Sequence, residues 1–183
     1  MNNFLIWGSG DDMKPSTADV IDSIIWSLDT YVAPEVEAPF ARSVLLTVGN
    51  LLRHVKLRVQ LEPAVLSEDN ADLAIVLQHA ASQLEADSEL QSALSQPLER
   101  LAATLHQTST NTEPPRSAEQ LSDDSDALRQ ALDDLIRVLA ALAPQLQARP
   151  GYSETRQQIR SYLARQLKRE GSLITPAFTG GRR

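Results

Sequence analysis

Apolar residues recur along most of this chain at the three- and four-residue spacing of amphipathic helices. Ile21, Ile24, Ile25, Leu28 and Val32 share one face of a helix predicted from about Thr17 to Val32. Ser16 or Thr17 can cap it, and Asp19 suits its positive N-terminal end. Pro34 ends this helix, Glu35 to Ala38 form a joint, and Pro39 fits the first turn of a second helix. That helix is predicted from about Phe40 to Leu61. Ala41, Val44, Leu45, Val48, Leu51, Leu52, Val55 and Val59 form its apolar face, and Pro63 marks its end. With so short a joint, the two helices are expected to pack antiparallel.

Ser67-Glu68-Asp69-Asn70 is rich in capping residues and is expected to open a third helix, with Leu73, Val76, Leu77, Ala80 and Leu84 on one side, running to about Leu94. Pro97 implies a kink or restart, after which Leu98, Leu101 and Leu105 continue to about Gln107. Residues 108–126 are polar and lack periodicity, so they read as a flexible linker. Leu128, Ala131, Leu132, Leu135, Leu139 and Leu142 define a further helix that Pro144 kinks or ends. Pro150-Gly151 reads as a turn. A last helix from about Ser153 to Arg169 has Ile159, Leu163 and Leu167 inward, and Gly171 stops it.

The pattern adds up to an all-α fold, an antiparallel bundle of five or six helices. Its expected parts are a flexible N-terminal extension at 1–13, a bundle core at 14–107, the linker at 108–126, a C-terminal helical hairpin at 127–170 packed on the core, and an irregular tail at 171–183. Met13-Lys14-Pro15 reads as a natural beginning, with the preceding residues an upstream extension or a frayed terminus.

Composition narrows the chemistry. Apolar residues make up 42% of the 183 and aromatics only 4%, so the core is built from Leu, Ala, Val and Ile. A formal net charge of -7 disfavours nucleic acid as a partner. The absence of cysteine excludes thiolate and disulfide chemistry and fits the cytoplasm. No apolar run approaches the ~18 to 20 residues of a membrane span. Nor does the first segment have the basic start and long apolar centre of a signal peptide.

Candidate chemistry is sparse. His54, His79 and His106 lie on three predicted helices, but the residues three before them are Leu51, Val76 and Ala103, so the Glu-x-x-His pairs of carboxylate-bridged metal bundles are missing. No metal and no cofactor are therefore expected. There is no nucleophile elbow, no phosphate-binding Gly-rich loop and no Walker lysine. A polar stripe, Ser43, Thr47, Asn50 and His54, flanks the apolar face of the second helix, and Asp22 and Asp29 flank that of the first beside Trp26. Asp22, Trp26, Asp29, Asn50 and His54 could form a ligand-binding pocket, with an Asp orienting His54; the same residues also read as the ordinary polar edge of a bundle. Arg42 on the second helix and Arg156, Arg160 and Arg165 on the last are candidates for docking an acidic partner, or else belong to solvated faces.

One segment carries a likeness. Pro15-Ser16-Thr17-Ala18-Asp19-Val20-Ile21, Val32-Ala33-Pro34-Glu35-Val36, Phe40-Ala41-Arg42 and Val48-x-Asn50-Leu51 resemble a family of small helical proteins in which a Pro-x-x-x-(Asp/Glu)-(Leu/Val) start leads to a Val-x-Pro joint, followed by an aromatic, an Arg and an Asn. The resemblance covers about residues 14–62. Members of that family are encoded beside kinases of the aminoglycoside-phosphotransferase type and acyl-CoA dehydrogenases, and one serves as an accessory component of a kinase that phosphorylates a hydroxyacyl-CoA. The resemblance thus implies a non-catalytic accessory protein that binds a kinase-like enzyme of acyl-CoA or hydroxy-acid catabolism. Arg42 and Asn50 fall on recurring family positions. Two other readings stand beside it: a small-ligand-binding protein or enzyme using the polar pocket, and a self-associating bundle, that is, a homo-oligomer.

Overall fold

The structure, a computed structural model, describes residues 14–86, 91–110, 116–147 and 149–174. Every regular element among them is helical. The α-helices are α1 (Thr17–Ser27), α2 (Pro39–Glu85), α3 (Gln91–Thr110), α4 (Ala118–Ala141), α5 (Ala143–Leu146) and α6 (Pro150–Ser172). The chain divides into two compact units, with the boundary between Gln60 and Leu61. The all-α fold is as the periodicity predicts. The expected extension at 1–13 and most of the expected tail lie outside the described residues.

The described residues of the first unit form a two-helix hairpin. A reciprocal cap starts α1: the Ser16 hydroxyl accepts from the Asp19 amide at 3.2 Å, and the Asp19 carboxylate accepts from the Ser16 amide at 3.0 Å. After Ser27 the chain widens into a π turn at Leu28–Val32, then tightens into a 3₁₀ turn at Ala33–Glu35 that holds Pro34. The Ala33 amide bonds the Leu28 carbonyl across the wide turn. The wider turn rotates Tyr31 back towards Trp26, and their rings meet edge to face at 5.3 Å.

The second unit is an up-down-up-down bundle formed by the second half of α2 with α3, α4 and α6. Leucines dominate its core, among them Leu73, Leu77, Leu94, Leu128 and Leu146, all essentially inaccessible to solvent. Gly151 lets the start of α6 approach α2: a Cβ there would lie 3.3 Å from the Gln83 carbonyl oxygen.

Four boundaries differ from expectation. First, α2 does not end at Pro63 but continues to Glu85. The proline removes one helical hydrogen bond, yet the capping side chains that follow it are engaged elsewhere. Asn70 donates to the Leu121 carbonyl at 2.9 Å, and Asp69 is buried among side chains of other helices. Second, the third predicted helix does not run to Leu94. The chain is helical to Glu85 and again from Gln91, and Pro97 lies inside α3, between the buried Leu94 and Leu98. Third, the expected linker at 108–126 is helical at 108–110 and at 118–126. Ser117 and Gln120 form a capping box that starts α4, and Leu121, Asp124 and Ser125 are buried. Fourth, Pro150-Gly151 opens α6 rather than turning, and α6 passes through Gly171 to Ser172. Proline is well placed in the first helical turn, where its missing amide has no intrahelical partner to lose.

The inward face of α6 also differs. Ile159 is buried as expected, but Leu163 and Leu167 are exposed, while Tyr152, Thr155 and Tyr162 turn inward. Tyr162 is drawn in by a hydrogen bond to Asp69 that no apolar stripe encodes.

Candidate functional site

The hairpin has two broad faces of opposite character. On one, Lys56 bonds the Asp22 carboxylate at 2.6 Å and Arg53 bonds Asp29 at 3.3 Å. Pairing of 22 with 56 and of 29 with 53 fixes the two helices as antiparallel. Arg53 also reaches the Asn50 side chain at 3.4 Å. The carboxylates of the proposed pocket are therefore engaged by cations of the neighbouring helix. Trp26 is exposed on the same side, resting on Tyr31, and His54 is half-buried on α2. Arg42 donates to the Val36 carbonyl at 3.1 Å and ties the joint to the start of α2. The structure brings Asp29, Asn50 and Arg53 together, and Asp22 with Lys56, as a seam of ion pairs.

The other face is apolar and open. The apolar positions of α2 form two adjacent stripes. Leu45, Gly49, Leu52 and Lys56 follow the spacing of one helix face, are at least partly buried, and lie on the side that meets α1. The second stripe, Phe40, Val44, Val48, Leu51, Val55 and Val59, is exposed along its whole length: Phe40 at 81%, Leu51 at 56% and Val48 at 39%. Val20 and Ile24 extend it across α1. Among the described residues of the hairpin, Ile21 is the large apolar side chain that is fully buried. The sequence pattern assigned both stripes to one buried face; the structure buries one and leaves the other uncovered.

The second unit contains a buried ionic cluster. The Asp69 carboxylate accepts from the Tyr162 hydroxyl at 3.1 Å, from Arg169 at 2.9 Å and from Arg129 at 3.3 Å. Arg169 also reaches Asp72 at 2.6 Å, and Arg165 holds Asp72 through two bonds at 2.7 and 2.9 Å. The Arg165 hydrogen bonds hold the Asp72 carboxyl below the usual carboxylate range. Burial, then the Asp69 charge, pushes the Tyr162 phenol well above its ordinary value. Every formal charge in this cluster faces an opposite one, the arrangement of a structural network in which α6 is bolted to α2 and α4.

Of the expected docking cations, Arg165 is thus committed to Asp72, and Arg156 lies over the Tyr152 ring at 5.5 Å. Arg160 is exposed on the rim of an apolar groove between α4 and α6 floored by Leu139, Tyr152 and Ile159. A cavity of about 480 Å³ lies between α2, α3 and α4. Its walls are braced by Arg116, which bonds Asp124 at 2.6 Å and the Thr108 carbonyl at 2.9 Å.

Among the described residues, no group of three or more metal-ligating side chains is arranged to hold an ion, and no helix is long and apolar enough to cross a membrane. No family model, curated protein or solved structure matches the chain.

Sequence reasoning missed two features. Asp69 has the same helical register as Leu73, Val76 and Ala80, so an uninterrupted helix would have shown a carboxylate on a core stripe. The second was the doubling of the apolar stripe on α2, legible in the extra width of its apolar arc.

Proposed function

We propose that this is a non-catalytic interaction protein of the cytoplasm whose docking element is the open face of the N-terminal hairpin. One observation carries the reading: a continuous row of large apolar side chains, from Phe40 to Val59, faces solvent on a helix whose neighbouring stripe is packed. Monomeric proteins rarely expose contiguous apolar patches larger than a few hundred Å², and larger ones mark sites of association. The ion-paired seam supports the same reading, because Asp22 and Asp29 are neutralised within the hairpin rather than held for a ligand.

The likeness of residues 14–62 to accessory proteins of acyl-CoA and hydroxy-acid catabolism points to a phosphotransferase-like kinase as the client. The protein would stabilise or complete that enzyme by association and contribute no reacting group. The test is co-expression with a kinase encoded beside it, followed by size-exclusion chromatography. The expected result is a co-eluting complex that the Val48→Asp, Leu51→Asp double variant fails to form. Independent elution, with kinase activity unchanged by the wild-type protein, defeats the proposal.

A further inference from the structure

We propose that the groove between α4 and α6 binds a small apolar monocarboxylic acid, its hydrocarbon body on the groove floor and its carboxylate among Tyr152, Arg156 and Arg160. The groove lies wholly within the second unit, so the site stands independently of the docking role of the hairpin.

The three donors form one stripe. Tyr152, Arg156 and Arg160 recur every four residues on α6, the spacing that stacks side chains on one helix face, and all three line the groove. Arg156 lies over the Tyr152 ring at 5.5 Å and donates to the Tyr152 hydroxyl at 3.4 Å. That hydroxyl is already an acceptor, and its own hydrogen meets no acceptor among the described residues, although Tyr152 is only 5% exposed. A buried donor in that state is costly until an acceptor reaches it.

Charge points the same way. Acidic residues outnumber basic ones by 24 to 17 in this chain. Five arginines of the second unit, Arg116, Arg129, Arg137, Arg165 and Arg169, each hold a carboxylate. Among the described residues Arg156 and Arg160 hold none, and no acidic side chain lines the groove. Two like charges one helical turn apart repel, and an anion between them reverses the sign of that interaction.

The floor sets the rest of the ligand. Leu139, Ala140, Ile159 and Leu163 line it, and Leu163 is left 38% exposed. The groove volume of about 380 Å³ falls at the lower end of the range for small-molecule sites, which selects a compact ligand. An inorganic anion would leave this floor uncovered, and a neutral hydrocarbon would leave the three donors unanswered.

Isothermal titration calorimetry of the full chain with sodium octanoate tests the site, with octanol as the probe for the body alone and acetate as the probe for the head alone. Octanoate is expected to bind saturably, and each partial probe at least about 10-fold more weakly. Arg156→Gln, Arg160→Gln is expected to weaken octanoate about 10-fold or more and to leave octanol unchanged. Ala140→Trp, at an exposed position on the groove wall, should abolish octanoate binding. Arg137→Gln, exposed on α4 outside the groove, should leave it intact. Circular dichroism checks each fold, and if Ala140→Trp lowers helicity the arginine pair is read alone. Absence of saturable octanoate binding, equal binding of octanol or acetate, retention in the arginine pair, or equal loss in Arg137→Gln each overturns the proposal. Val48→Asp, Leu51→Asp should bind octanoate as wild type does, so failure of the groove and failure of the hairpin are read separately.

Discussion

The hydroxyl of Tyr162 on α6 donates to the carboxylate of Asp69 on α2 at 3.1 Å, across 93 residues of chain, and both side chains are buried. Asp69 is also an acceptor for Arg129 and Arg169, so removing it leaves the buried phenol without its acceptor and costs each guanidinium one partner, although Arg169 keeps Asp72 and Arg129 keeps Glu170. Asp69→Ala is expected to destabilise the protein by about 3 kcal/mol, and Tyr162→Phe by about 1 to 2 kcal/mol. Urea unfolding measures both. The double variant should cost less than the sum, since the two residues share one bond.

The same pair shapes the alkaline limb of stability. The Tyr162 phenol titrates above its ordinary value of 10.0 in the folded chain, because burial and then Asp69 disfavour the phenolate. The unfolded chain loses that proton first. The stability this residue contributes is therefore complete below pH 10 and falls as pH rises above it. Ultraviolet titration should show one tyrosine ionising only together with unfolding, and Tyr162→Phe should abolish that late step.

Asp72 acts at the acid limb. Its carboxyl is held below 3.8 chiefly by Arg165, so its contribution is present above that value and drains away as pH falls through the lowered pKa. The group is partly exposed and solvent screening is strong, so the effect is a fraction of ~1 kcal/mol. Melting temperatures measured from about pH 5 downwards should fall less steeply for Asp72→Asn than for wild type.

Two helical glycines should respond in opposite ways. A Cβ at Gly49 meets the mobile end of Arg53 at 3.2 Å, whereas at Gly151 it meets the Gln83 backbone carbonyl at 3.3 Å. Gly49→Ala is expected to stabilise by about 0.5 to 1 kcal/mol through helix propensity. Gly151→Ala should gain nothing or lose stability, because the backbone it meets cannot swing aside. Thermal melts of the two variants distinguish these outcomes.

Pro63 sits inside α2, where its nitrogen carries no hydrogen to donate to the Val59 carbonyl. Pro63→Ala restores that bond and should raise stability by about 1 to 3 kcal/mol with helical content unchanged. Loss of helix in this variant would show that the proline, rather than its neighbours, shapes α2.

Much of this architecture is legible residue by residue. A cap at Ser16 or Thr17, the Pro39 start and the antiparallel pairing of α1 with α2 follow from spacing and from proline chemistry, and the structure selects Ser16 with Asp19 as its reciprocal partner. The leucine stripe of α4 is legible too: Leu128, Leu132, Leu135 and Leu139 are buried as their period requires. What misled was punctuation. Pro63, Ser67 to Asn70 and the polar run at 122–126 read as breaks because each is unfavourable in an isolated helix. Burial of Asp69, Asn70, Leu121 and Asp124 against other helices outweighs those local preferences.

By itself the sequence determined that the chain is helical, where its apolar arcs lie and that the first two helices oppose one another, because periodicity and capping are local properties. Only the tertiary structure decided which arcs are covered. Burial depends on a neighbour arriving, and nothing local distinguishes Leu52, partly covered in the hairpin, from Leu51, which faces water. Likewise only packing could place Asp69 beside Tyr162 and two arginines. A carboxylate on a core stripe is untenable until opposite charges from distant helices converge on it.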